Sequence, residues 1–151
     1  MADDTNDVLY RLVAEGVPDA VVYADREGII RLWSPGAERM FGFAAADAVG
    51  QSLDLIIPEN LRARHWEGYR RVMDTGTTRY GTKLLTAPAL RADGSRLSTE
   101  FSMALVRDGA GDMAGSGAVI RDVTERWLKE KDMKERLAEL ERCCGTDRPS
   151  R

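Results

Sequence analysis

Histidine, cysteine and long apolar runs are what this chain has least of. Its two cysteines among 151 residues, Cys143 and Cys144, are adjacent, so they build no disulfide framework and lack the spacing of a zinc or redox pair. Both are expected to be exposed reduced thiols. No apolar run nears the ~20 residues that cross a bilayer, and Met1-Ala2-Asp3-Asp4-Thr5 lacks the basic and then apolar start of a secretion signal. The chain is therefore expected in the cytoplasm, away from membranes. A formal charge of −3 gives no general attraction to nucleic acid. The length suits one domain by the usual range of ~100–200 residues, with ordinary apolar content for a soluble core.

What is present alternates in type along the chain. An amphipathic lead (Val8, Leu9, Leu12, Val13) precedes two β-rich runs at 20–24 and 29–33, which Asp25-Arg26-Glu27-Gly28 joins as a hairpin turn. Pro35 to Phe41, closed by Gly42, reads as a short helix, 44–49 as another, and 51–57 as a connecting turn. After Asp74-Thr75-Gly76 the pattern returns to strands at 79–89, 95–107 and 113–122, separated by turns at 91–94 and 108–112. Five strands in hairpin order, with the helices gathered on one side, make an α+β fold: an antiparallel sheet with helices covering one face. In 95–107, alternation turns Leu97, Thr99, Phe101, Met103 and Leu105 to the core and Ser98, Glu100, Ser102 and Ala104 away from it. From Val123 the chain is charged and helical, and Met133, Leu137, Leu140 and Cys144 follow the four-three-four spacing of a coiled-coil seam, shorter than a secure one and interrupted at Glu130.

The single histidine, His65, carries the most chemical information. Pro58 suits a first helical position and Glu59 the positive end of a helix dipole, so a helix begins there. Leu61, His65, Tyr69 and Val72 recur on one face of it, while most of the charged residues fall elsewhere. His65 thus points inward. Gly68 lies on the same side, where a helix interior loses about 1 kcal/mol relative to alanine. Taken alone, these residues fit two accounts. In one, His65 is a core histidine with its ring nitrogens held by backbone carbonyls, and Gly68 lets a strand approach. In the other, both residues face a flat ligand.

Four phrases, in order, carry a family resemblance. Asp25-Arg26-Glu27-Gly28-Ile29-Ile30-Arg31-Leu32-Trp33, Ala37-Glu38-Arg39-Met40-Phe41-Gly42-Phe43, Arg91-Ala92-Asp93-Gly94 and Arg121-Asp122-Val123-Thr124-Glu125-Arg126 resemble the consecutive signatures of a PAS domain, over about residues 8–126. Ser34 stands where many relatives carry asparagine, and serine caps a helix equally well. The resemblance divides the chain into a flanking segment (1–18), the PAS domain (19–122), a C-terminal signalling helix (123–145) and a disordered tail (146–151).

Arg62-Ala63-Arg64-His65 with Arg91-Ala92-Asp93-Gly94 is similar to the heme-binding subgroup known from bacterial oxygen-sensing kinases. That resemblance implies heme b with His65 as proximal iron ligand. It places Arg71 and Arg79 where the family holds the propionates, and Gly68, Tyr69, Leu85 and Phe101 among the heme contacts. Leu85 stands where the oxygen sensors carry a distal arginine, which moves the expectation from strong oxygen binding toward CO, NO or redox state. Met103 is a packing residue or a sixth ligand, since a thioether can bind heme iron. The signal would leave through the C-terminal helix to an output domain or partner beyond this chain, from a homodimer formed by the flanking helices. The competing expectation is a PAS dimerisation module with no cofactor or a small metabolite. A flavin photosensor lacks its mid-domain cysteine here, and no pair of groups converges for catalysis.

Overall fold

The computed structural model describes residues 2–145; the tail expected at 146–151 lies outside them. Helix α1 (Ala2–Gly16) leads into β1 (Ala20–Asp25) and β2 (Ile30–Trp33), and then come α2 (Pro35–Phe41), α3 (Ala45–Ala48), a 3₁₀ turn (Leu53–Leu55) and α4 (Glu59–Thr75). Three long hairpin strands follow, β3 (Leu85–Leu90), β4 (Arg96–Arg107) and β5 (Met113–Asp122), and α5 (Thr124–Gly145) closes the chain. The sheet runs β2-β1-β5-β4-β3, and every neighbouring pair is antiparallel. This is the α+β architecture expected from the sequence.

Local chemistry sets the first half. The Asp25 carboxylate accepts hydrogen bonds from the Glu27 and Ile29 amides at 3.1 and 3.0 Å and from Arg31 at 2.7 Å, bending the chain at the tip of the β1–β2 hairpin. Gly28 closes the turn at φ 80°, and a Cβ there would lie 2.1 Å from the Trp66 ring, so the turn also seats α4. Ser34 caps α2 by accepting from the Ala37 amide, and its hydroxyl also accepts from the Val21 amide at 2.9 Å, tying the helix to β1. The core beneath these elements centres on Phe41, Ile30 and Leu97, with Trp33 and Phe41 rings 5.3 Å apart.

Several boundaries differ by a residue or more from the sequence expectation, and two of them bear on α4 and the sheet edge. The strand expected from Arg79 begins at Leu85, because 79–82 form turns that carry the chain from the end of α4 to the sheet edge. Pro58 is the N-cap at φ −54°, ψ 138°, one position before the helix, so Glu59 is the first helical residue. At the other end Gly76 terminates α4 in the left-handed region at φ 66°, and its carbonyl accepts from Arg107 at 2.8 Å.

Both flanking helices present uncovered apolar stripes. Val8, Leu9, Leu12 and Val13 on α1 are exposed, as are Met133, Leu137 and Leu140 on α5. The start of α5 is held: the Val123 amide donates to Ser98 O, Thr124 Oγ1 accepts from the Ser98 amide, and Arg126 pairs with Glu100 at 3.0 Å. Beyond it α5 buries no residue, and both cysteines are exposed near its end.

Candidate ligand site between α4 and the sheet

The concave face of the sheet carries small side chains where a filled core needs large ones. Ala118 and Ser116 on β5, Ala24 on β1 and Ala87 on β3 face the stripe Leu61, His65 and Tyr69, spaced four residues apart on α4. Neither wall fills the gap. A cavity of about 200 Å³ remains, closed further by Thr99, Phe101 and Met103 of β4. It exceeds the ~150 Å³ engineered apolar cavity that stays dry and admits benzene.

His65 is the polar anomaly in this wall. It is half-buried, and its Nδ1 is fully buried with no hydrogen-bond partner among the described residues. The core-histidine account required that nitrogen to be held by a carbonyl. Burial lowers the His65 pKa from 6.5, and the Asp54 carboxylate offsets this only in part, so the imidazole is neutral at pH 7. Its ring stands edge-on to Trp66 with centroids 4.8 Å apart and tilted to Tyr69 at 5.7 Å. Trp66 is itself anchored by donating to Asp54 Oδ1 at 2.8 Å. Tyr69 donates to Asp25 O at 2.6 Å and lies within reach of Ala24 O at 3.2 Å, and burial pushes its hydroxyl pKa well upward, so it stays protonated.

The residues singled out from the sequence fall into two groups. His65, Tyr69, Phe101 and Met103 line the cavity, His65 from the helix and Met103 from the sheet. Gly68, Arg71, Arg79 and Leu85 lie outside its lining. Nothing stands within 4 Å of where a Cβ on Gly68 would sit, so no strand approaches it. Arg71 pairs with Glu67 at 3.2 Å on the helix surface, and the Arg79 guanidinium lies 5.3 Å from the Tyr80 ring centroid in the turn after α4. Leu85 shares the face of Ala87 and Ala89 and pairs with Phe101, two residues beyond the cavity's edge.

Sequence reasoning missed Ser116. The signal for it was Gly115-Ser116-Gly117 inside a strand, since glycine weakens a strand and often marks a close approach. Among the described residues no cluster of three His, Cys, Asp or Glu could hold a bare metal ion. What the site offers is single donors in an apolar wall.

Residues 14–127 match the family described as PAS fold. Sensor protein FixL of Bradyrhizobium diazoefficiens is 32% identical over 139 residues, covering 90% of this chain and 26% of that protein. Oxygen sensor protein DosP of Escherichia coli is 25% identical over 126 residues, covering 75% of this chain and 16% of that protein. The chain thus spans about a quarter or less of the length of these two curated relatives. Among solved structures, an RNA-binding Light-Oxygen-Voltage receptor superposes with a TM-score of 0.68 at 23% identity, covering 88% of this chain and 37% of that one. The PAS domain of a Colwellia psychrerythraea protein gives 0.65 at 21% identity, covering 79% and 99%.

Proposed function

This chain belongs to the PAS-fold family, and within it we propose a sensor that holds heme b through His65 and responds to a diatomic gas (CO, NO or O2) or to redox state. The observation that carries the proposal is the buried, unpartnered Nδ1 of His65 on the wall of an apolar cavity. Native interiors rarely tolerate such an atom, because leaving it unpaired costs about 1–3 kcal/mol. A neutral imidazole is also the form that binds metal. Similarity to proteins named as a sensor protein and an oxygen sensor protein supports the same reading.

Heme bound there supplies an iron centre that needs only one or two protein donors, because the porphyrin provides the rest. His65 is the first donor, and the thioether of Met103 faces the cavity from the opposite wall as a second. Arg71 and Arg79 would pair with the propionates, which requires Arg71 to leave Glu67. A porphyrin is several times larger than benzene and exceeds about 200 Å³, so uptake requires α4 to move off the sheet.

The route outward runs along β4. Thr99 and Phe101 line the cavity, and their neighbours Ser98 and Glu100, on the other face, hold the first turn of α5. A displacement of the wall would thereby reach α5, which we assign as the element that such coupling biases. The uncovered stripes of α1 and α5 are where we place the homodimer contact, and the output lies in a partner or a further segment.

The test is hemin retention through gel filtration by the wild type and by His65→Ala, with circular dichroism to confirm that the variant is folded. Retention by the wild type and loss in the variant is expected. Equal retention overturns His65 as ligand. The present size of the cavity favours one competing account, a PAS module with a small organic ligand, and a wild type that retains no hemin would select it.

A further inference from the structure

Among the described residues three polar side chains are buried: Ser34, Thr99 and Ser116. Two are hydrogen-bonded. Ser34 accepts from the Val21 and Ala37 amides, and Thr99 donates to Ala87 O at 2.6 Å. Ser116 is 9% exposed and lines the cavity, and its hydroxyl has no hydrogen-bond partner among the described residues. Its position is fixed on both sides, because β5 pairs it with Ala24 of β1 and Leu105 of β4. Gly115 beside it is required by packing, since a Cβ there would lie 2.1 Å from Ala24 O and 2.7 Å from the Tyr23 hydroxyl. With glycine on either side, Ser116 is the only side chain this stretch of β5 presents.

We propose that Ser116 is the specificity-determining residue of the cavity, holding the polar atom of a small uncharged guest. The size follows from about 200 Å³, which suits a molecule of one aromatic ring. The absence of charge follows from the lining, which contains no Asp, Glu, Lys or Arg. A hydroxyl both donates and accepts, so the guest carries one hydroxyl, carbonyl or ring N–H. An alanine at 116 would leave the sheet wall with no free hydroxyl, since Thr99 is already engaged with Ala87 O. The inference rests on the cavity and not on the heme reading: a chain that refuses hemin can still show the selectivity.

The probes are phenol and benzene, titrated calorimetrically into the full-length, hemin-free chain as wild type, Ser116→Ala and Ser116→Thr. The wild type is expected to bind both. Ser116→Ala should lose about tenfold in phenol affinity while benzene affinity is unchanged or improved, since the phenol hydroxyl then loses its partner on the sheet wall. Ser116→Thr, which keeps the hydroxyl, should retain the preference. Benzene binding reports that each variant is folded with its cavity open. The proposal is overturned if Ser116→Ala leaves phenol affinity unchanged, if both probes weaken equally, or if the wild type takes up neither.

Discussion

Replacing His65 by leucine should make the protein more stable and unable to hold hemin. The buried Nδ1 has no partner, and removing an unsatisfied buried polar atom recovers about 1–3 kcal/mol. Leucine fits an apolar wall already formed by Leu61, Ile57 and Phe101 and adds no polar group. At roughly 2–4 °C per kcal/mol for a chain of this size, the hemin-free variant should melt about 2–12 °C higher. The difference should depend on pH with a definite sign. Burial lowers the His65 pKa in the folded state below 6.5, so below that pH the unfolded chain takes up a proton that the folded chain resists. Wild-type stability therefore falls as pH drops through about 6.5, and leucine, with nothing to titrate, loses none on this account. The gap between the two is constant above pH 7 and widens toward pH 5. Urea denaturation of both proteins at pH 7.5 and 5.5 measures it. A variant less stable than wild type by more than about 1 kcal/mol, or a gap equal at both pH values, would mean that His65 is a structural residue and would refute the reasoning.

Met103→Leu nearly conserves volume, so hemin should still bind while the coordination state changes if the thioether is the sixth ligand; an unaltered spectrum leaves Met103 as packing. Tyr69→Phe removes the hydroxyl that binds Asp25 O at 2.6 Å and should cost about 1–2 kcal/mol in urea denaturation, and a loss too small to measure would contradict that bond. Gly28→Ala combines φ 80° with a Cβ 2.1 Å from the Trp66 ring, so it should destabilise by more than about 1 kcal/mol and raise hydrogen exchange in α4, where Trp66 sits. Exchange in α4 unchanged by that substitution would separate the turn from the helix.

The fold was legible because its turns are chemically explicit. Asp25 to Gly28, Ser34 with Pro35, and Arg91 to Gly94 each name a backbone geometry, and the strands between them alternate cleanly. The start of β3 was not legible, because the turns at 79–82 carry threonine and tyrosine, residues of high β propensity, and tertiary position overrides that preference. His65 could be placed on an inward face by spacing alone. Its lack of a partner could not, since that depends on what the sheet opposite fails to supply. The cavity itself was hidden for the same reason: Ala24, Ala87 and the Ser116/Ala118 pair come from three strands far apart in sequence, and only the antiparallel register brings these four small side chains against one helix. Arg71 and Arg79 were assigned by resemblance, and their place outside the cavity lining follows from the helix surface and the turn on which they stand.

The most direct test is an absorption spectrum of the purified chain, recorded as isolated and then with hemin, dithionite and CO in turn. The account predicts stoichiometric hemin uptake, with a Soret band that sharpens and shifts at each addition. A colourless protein that takes up no stoichiometric hemin would contradict it.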